Sequence, residues 1–131
     1  MLPEPEDRVW IAVAALSGAI AVIFGAFAAH GIDPSTAGGL RARGWLEIGS
    51  RYEMMHALAM LAVVTLAPRL HRGFAIAALV LFLAGGVLFP GALYALALDG
   101  PRWMGAVAPV GGLCFIVGWL SFALAAVRRT S

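Results

Sequence analysis

Charge is confined to sixteen of 131 positions, which leaves four charge-free runs, 9–32, 54–68, 73–98 and 103–127, holding ninety residues between them. Three of the runs exceed the roughly 18–20 apolar residues that cross a hydrocarbon core of about 30 Å. A backbone inside that core must satisfy its N–H and C=O groups internally, so the runs read as helices. Composition agrees: 62% of the residues are hydrophobic and 12% charged, against about half and about a quarter in a soluble domain. The chain therefore reads as an all-α polytopic membrane protein, and soluble and disordered classes are excluded.

Ala26-Phe27-Ala28 imitates a signal-peptide cleavage site. The leader in front of it carries Glu4, Glu6 and Asp7 against Arg8 alone, and the apolar stretch outruns the 7 to 15 residues of a signal h-region, so a retained first helix is expected. All nine basic residues are arginines lying outside the long apolar runs. They suit lipid headgroups better than nucleic acid, and membrane lipids rather than nucleic acid are the expected partner. Cys114 is the only cysteine and sits among apolar residues, which excludes an intramolecular disulfide and a cysteine-based zinc site.

The expected organisation is an up-down four-helix transmembrane bundle over 9–127, with helices at 9–29, 45–67, 73–98 and 103–127. Residues 1–8 and 128–131 form short tails. Asp33-Pro34 resembles an N-cap followed by proline, opening a surface segment over 33–44. The second helix is the exception, because Met54 to Ala67 is too short to span alone. Starting it near Trp45 places Arg51 and Glu53 at or just inside the membrane border, where charge is tolerated only if it faces protein, water or another charge. Glu47 and Arg51, spaced i to i+4, form one expected pair.

Small residues mark the packing faces. Ala14, Gly18, Ala21, Gly25 and Ala28 line one face of the first helix, while Gly111, Gly118 and Ala125 repeat every seven in the fourth, beside Gly112. Such seams let backbones approach closely in lipid, within a chain or between chains. Pro90 and Pro109 are expected to kink the third and fourth helices, each freeing a carbonyl.

Antiparallel alternation gathers the polar groups on one side of the membrane: His30, Arg51, Tyr52, Glu53, His56, Tyr94 and Asp99. Ser17, Thr65 and Ser121, elsewhere, can bond their own helices. Glu53, His56 and Tyr94 should share one layer, in contact directly or through a water. Three roles are open to the cluster: fastening helix ends, handling ions or protons, and binding a ligand or headgroup. No pattern of metal ligands, cofactor loop or catalytic nucleophile is present, so neither metal nor cofactor is expected.

Four motifs stand in order along the chain: Gly25-Ala26-Phe27-Ala28-Ala29-His30-Gly31, Arg51-Tyr52 with His56-Ala57-Leu58-Ala59, Leu88-Phe89-Pro90-Gly91-Ala92-Leu93-Tyr94, and Pro109-Val110-Gly111-Gly112 with Gly118-Trp119. Together they resemble the small membrane proteins known as the domain of unknown function 423 family, to which the eukaryotic transmembrane protein 256 group looks related. The resemblance implies four spans and a bacterial inner-membrane location. It implies no established activity, so no catalytic residue is carried over. Where the family often has hydroxyl residues this chain has Pro90, Ala92 and Ala108, which disfavours a polar pore.

The functional expectation is a non-enzymatic inner-membrane protein acting by association, as a homo-oligomer or an accessory subunit. The alternatives are a small proton-coupled permeation protein using Glu53, His56 and Tyr94 and, further off, a membrane enzyme. Four spans place both termini on one side, and a slight arginine excess there makes that side the cytoplasm.

Overall fold

The computed structural model describes residues 4–128, and among these it contains helices and turns but no strand. Arg129 and Ser131, in the expected C-terminal tail, lie outside the described residues. The first helix, α1 (Pro5–His30), opens with proline in its first turn and with Glu6 and Asp7 beside the positive helix end. It closes where the Gly31 N–H bonds the Phe27 carbonyl at 2.7 Å. Residues 5–8, expected as tail, are thus its first turn.

The second helix, α2 (Ala37–Leu66), begins eight residues before Trp45. Its cap is Thr36, whose Oγ1 accepts the Gly39 N–H at 3.0 Å, and not Asp33, which accepts the Ser35 N–H at 2.9 Å in the preceding turn. The expected surface segment 33–44 is therefore not a separate element, since residues 37–44 are the first two turns of α2. Two features carry the helix through. No glycine among the described residues has a positive φ, so Gly38, Gly39 and Gly44 take ordinary helical conformations. The Arg43–Glu47 ion pair, at 2.8 Å, bridges the expected boundary. Glu47 thus pairs back to Arg43, not forward to Arg51. At position 39 any Cβ would collide with the Asp33 carbonyl, so glycine there lets the loop fold over the helix start.

A single 3-10 turn, Ala67–Arg69, leads to α3 (Arg72–Ala97), and a short link leads to α4 (Met104–Val127). Both helices run unbroken through Pro90 and Pro109. In the link Asp99 adopts φ 60°, while the Gly100 N–H bonds the Ala95 carbonyl at 2.7 Å.

Each helix packs on its sequence neighbour, whereas α1 and α3 touch only marginally. Contacts run in opposite directions along neighbours: Gly18 faces Met54 and Gly25 faces Ser50, so α1 and α2 are antiparallel. At one end Leu46 of α2 packs with Ala28, Tyr94 and Ala97; towards the other, Met60 and Val63 pack with Ala14 and Leu79. By length and composition three helices, α1, α3 and α4, suffice to cross a membrane. The second, expected as a fourth span, is not among them, because its first seventeen residues carry Arg41, Arg43, Glu47, Arg51 and Glu53.

Both small-residue seams are used within the chain. Ala14, Ala21 and Ala28 are buried to 1%, 3% and 0% exposure on the face of α1 that meets α2. On α4, Gly111 lies against Phe89 and Gly118 against Phe82. A Cβ on Gly25 would stand 3.4 Å from Ser50 Oγ, whereas one on Gly18 would meet only the flexible end of Met54 at 3.9 Å. Gly25→Leu should therefore destabilise the fold by about 1–3 kcal/mol, Gly18→Leu by less, and leucine at the exposed Val22 or Ile23 hardly at all. Equal thermal unfolding midpoints in detergent for all four variants would show that this seam does not set the helix separation.

Candidate functional site

Three of the seven expected cluster residues are buried together, and α2 positions two of them. Glu53 and His56 are 6% and 5% exposed, and Tyr94, on α3, is 7% exposed. The Tyr94 hydroxyl donates to Glu53 Oε2 at 2.5 Å, and the Ser17 hydroxyl, on α1, donates to Glu53 Oε1 at 3.1 Å. One carboxyl thereby joins three helices. The Tyr94 ring is held in turn by Phe24 of α1, stacked at 3.7 Å between centroids.

His56 lies three residues on, about 4.5 Å further along the helix, and turns to a different neighbour. Its Nδ1 is 2.6 Å from the Tyr52 carbonyl, and its Nε2 is 3.1 Å from Trp119 Nε1 of α4. A carbonyl can only accept and an indole N–H can only donate. These two partners assign the neutral imidazole with its proton on Nδ1. The ring also stacks on Phe115 at 3.5 Å and 10°, with Phe82 at 5.5 Å.

These groups are deep. Phe115 and Phe82 lie near the midpoints of α4 and α3, and Ser17 near the midpoint of α1. Glu53 is buried among α1, α2 and α3, level with these midpoints. Glu53, His56 and Ser17 also line a recess of about 220 Å³, floored by α2 and open between α1 and α3.

The remaining members of the expected cluster stand apart. His30, Arg51 and Asp99 are exposed, and Tyr52 is 40% exposed with its ring 4.9 Å from Phe89. His56 shares the recess with Glu53 but bonds to neither Glu53 nor Tyr94. Two partners, Ser17 and Trp119, are not among the cluster the sequence suggests. Thr65 and Ser121 do bond their own helix, to the Leu61 and Val117 carbonyls, whereas Ser17 reaches across to Glu53. The signal for Ser17 was its place on the face of α1 that also carries Ala14, Gly18 and Ala21. Among the described residues no three histidine, cysteine, aspartate or glutamate side chains converge to hold a metal.

Four antiparallel helices, three of them apolar enough to span a bilayer, joined by short links around a small buried polar layer, define a small helical integral membrane protein. The chain belongs to the family described as Protein of unknown function (DUF423), which it matches over residues 24–112. It is 37% identical over 122 residues to a UPF0382 membrane protein of Haemophilus influenzae, covering 93% of this chain and 96% of that one. To the UPF0382 inner membrane protein YgdD of Escherichia coli K12 it is 39% identical over 123 residues, with 93% and 92% covered. To the UPF0382 membrane protein YwdK of Bacillus subtilis it is 37% identical over 125 residues, with 92% and 98% covered. No solved structure matches it.

Proposed function

We propose that the chain is a four-span, non-enzymatic protein of the bacterial inner membrane that acts by association, as a homo-oligomer or as an accessory subunit of a larger membrane complex. The observation that carries this reading is that the deep polar atoms are already engaged. Both oxygens of Glu53 accept hydroxyls from other helices, and both nitrogens of His56 have partners. Such groups fasten helices and present no free base or nucleophile to a substrate. With both seams occupied inside the chain, contacts with other proteins fall to the outward faces of α1 and α4, where Leu16, Ile23, Leu113 and Leu120 are exposed. Purification in mild detergent should yield a stoichiometric partner or a defined oligomer. A monomer with no partner, which passes protons when placed in liposomes, would overturn the reading.

The fourth span in this reading is the stretch of α2 from Leu46 to Leu66, whose 21 residues rise about 31 Å. It is supported by its packing against α1 and α3 from Leu46 to Val64. Glu47 and Arg51 are the charges it would turn outward, and Glu47, one residue inside its start, pairs with Arg43. Helical side chains lean towards the N-terminal end, so the Arg51 guanidinium extends towards the border near Leu46. An even number of spans puts both termini on one side. That side carries Arg8, Arg69, Arg72, Arg128 and Arg129, against Arg41, Arg43, Arg51 and Arg102 on the other, which favours the cytoplasm for the termini. A C-terminal fusion to a reporter active only in the cytoplasm should therefore be active. A silent but stably expressed fusion would reverse the orientation.

One observation favours a second reading, proton-coupled permeation: Glu53 and His56 line the same recess at mid-depth. Proton flux in liposomes that vanishes with His56→Ala would select it. Loss of thermal stability without any flux selects fastening.

A further inference from the structure

At the end of the bundle where α1 and α3 finish and α2 and α4 begin, a second recess of about 530 Å³ is lined by Asp33, Thr36, Arg41, Trp45, Asp99 and Arg102. Charges of both signs line it without forming an ion pair with one another. Among the described residues the side chains of Arg41, Arg102 and Asp99 make no hydrogen bond or ion pair; the ion pairs found are Arg43 with Glu47 and Arg72 with Glu6. Asp33 uses only one oxygen, on the Ser35 N–H. That hydrogen bond holds its carboxyl below the usual carboxylate range, so it stays anionic.

We propose that this recess binds a zwitterionic phospholipid headgroup, with Arg41 and Arg102 taking the phosphate and Asp33 and Asp99 taking the ammonium. Two guanidiniums present the planar donors that suit phosphate oxygens. The recess also receives the positive end of α2, at Thr36, which favours an anion. A phosphate alone would leave the two carboxylates facing it, which is unfavourable, whereas an attached amine places the opposite charge beside them. A lipid is favoured over a free phosphate compound by position. The recess lies level with the helix ends, where headgroups meet hydrocarbon, and Trp45 belongs to the residue type that settles at that boundary. Asp99, in a left-handed conformation with φ 60°, carries a carboxylate on the lining.

The test is native mass spectrometry of the full chain in mild detergent, titrated separately with phosphatidylethanolamine, phosphatidylglycerol, diacylglycerol and soluble phosphoethanolamine. One phosphatidylethanolamine per chain should bind about tenfold more tightly than either other lipid. Arg41→Gln and Arg102→Gln should each weaken both phospholipids about tenfold. Asp99→Asn, which tolerates the same backbone conformation, should abolish the preference for ethanolamine while retaining phosphatidylglycerol. The parent's ranking decides the matter without any variant. Equal binding of phosphatidylethanolamine and phosphatidylglycerol would overturn the zwitterion, and soluble phosphoethanolamine binding as tightly as the lipid would overturn the lipid.

Discussion

Gly111→Ala should cost about 2–3 kcal/mol of stability, while Gly112→Ala, one residue on, should cost nothing measurable. A Cβ on Gly111 would lie 2.7 Å from Phe89 Cβ and 2.8 Å from Phe89 Cα. Those atoms belong to the body of α3 and cannot rotate away, so α3 and α4 would have to separate. Their separation would loosen the neighbouring contacts of Gly85 with Phe115 and of Gly118 with Phe82 as well. A Cβ on Gly112 meets only Phe89 Cδ2 at 3.9 Å, an ordinary contact. Alanine also favours helix over glycine by up to about 1 kcal/mol in water. Thermal unfolding in detergent, followed by tryptophan fluorescence, measures both variants. Equal midpoints would mean that α3 and α4 do not pack through Gly111.

The four helices and their pairing were legible in the sequence because the physics behind them is local. Charge-free runs mark what lipid tolerates, and small residues at helical spacing mark where a backbone approaches. The seam on α1 occupies the positions expected of it and meets α2 within the chain. The start of α2 was not legible. Glycines at 38, 39 and 44 read as interruption, yet a helix tolerates them when its ends are capped and its turns are tied, as Thr36 and the Arg43–Glu47 pair tie these.

The polar layer was half legible for a related reason. Periodicity places Glu53 and His56 on one side of α2, and counting places Tyr94 at a similar height. Three residues on a helix are also separated by about 60° around its axis, enough for two side chains to meet different helices. Glu53 reaches α1 and α3, whereas His56 reaches Trp119 on α4. Which helix stands on which side of α2 is a tertiary fact, and no spacing within one helix encodes it. In the sequence Trp119 stands out only as part of the Gly118-Trp119 motif, and nothing there ties it to His56.

The strength of the Glu53–Tyr94 contact can be separated from the shape of its surroundings. Tyr94→Phe keeps the ring stacked on Phe24 but removes the hydroxyl that Glu53 Oε2 accepts, leaving a buried carboxyl oxygen without that partner. The expected cost is about 1–3 kcal/mol. Glu53→Leu removes the acceptor for both Tyr94 and Ser17 and should cost a similar amount for the same reason, two buried hydroxyls having lost their partner. Combined, the two changes leave fewer groups unpaired than their separate effects assume. Their costs should therefore fall short of the sum by about 1 kcal/mol, within the range found for hydrogen bonds between helices in lipid. Glu53→Gln, whose carbonyl and amide can still engage two hydroxyls, should lie closest to the parent. Unfolding of all four variants in the same detergent measures the cycle. Strict additivity would show that the 2.5 Å contact fastens nothing. Coupling in stability, with no proton flux from the parent in liposomes, would identify the layer as the clasp joining α1, α2 and α3 at mid-depth.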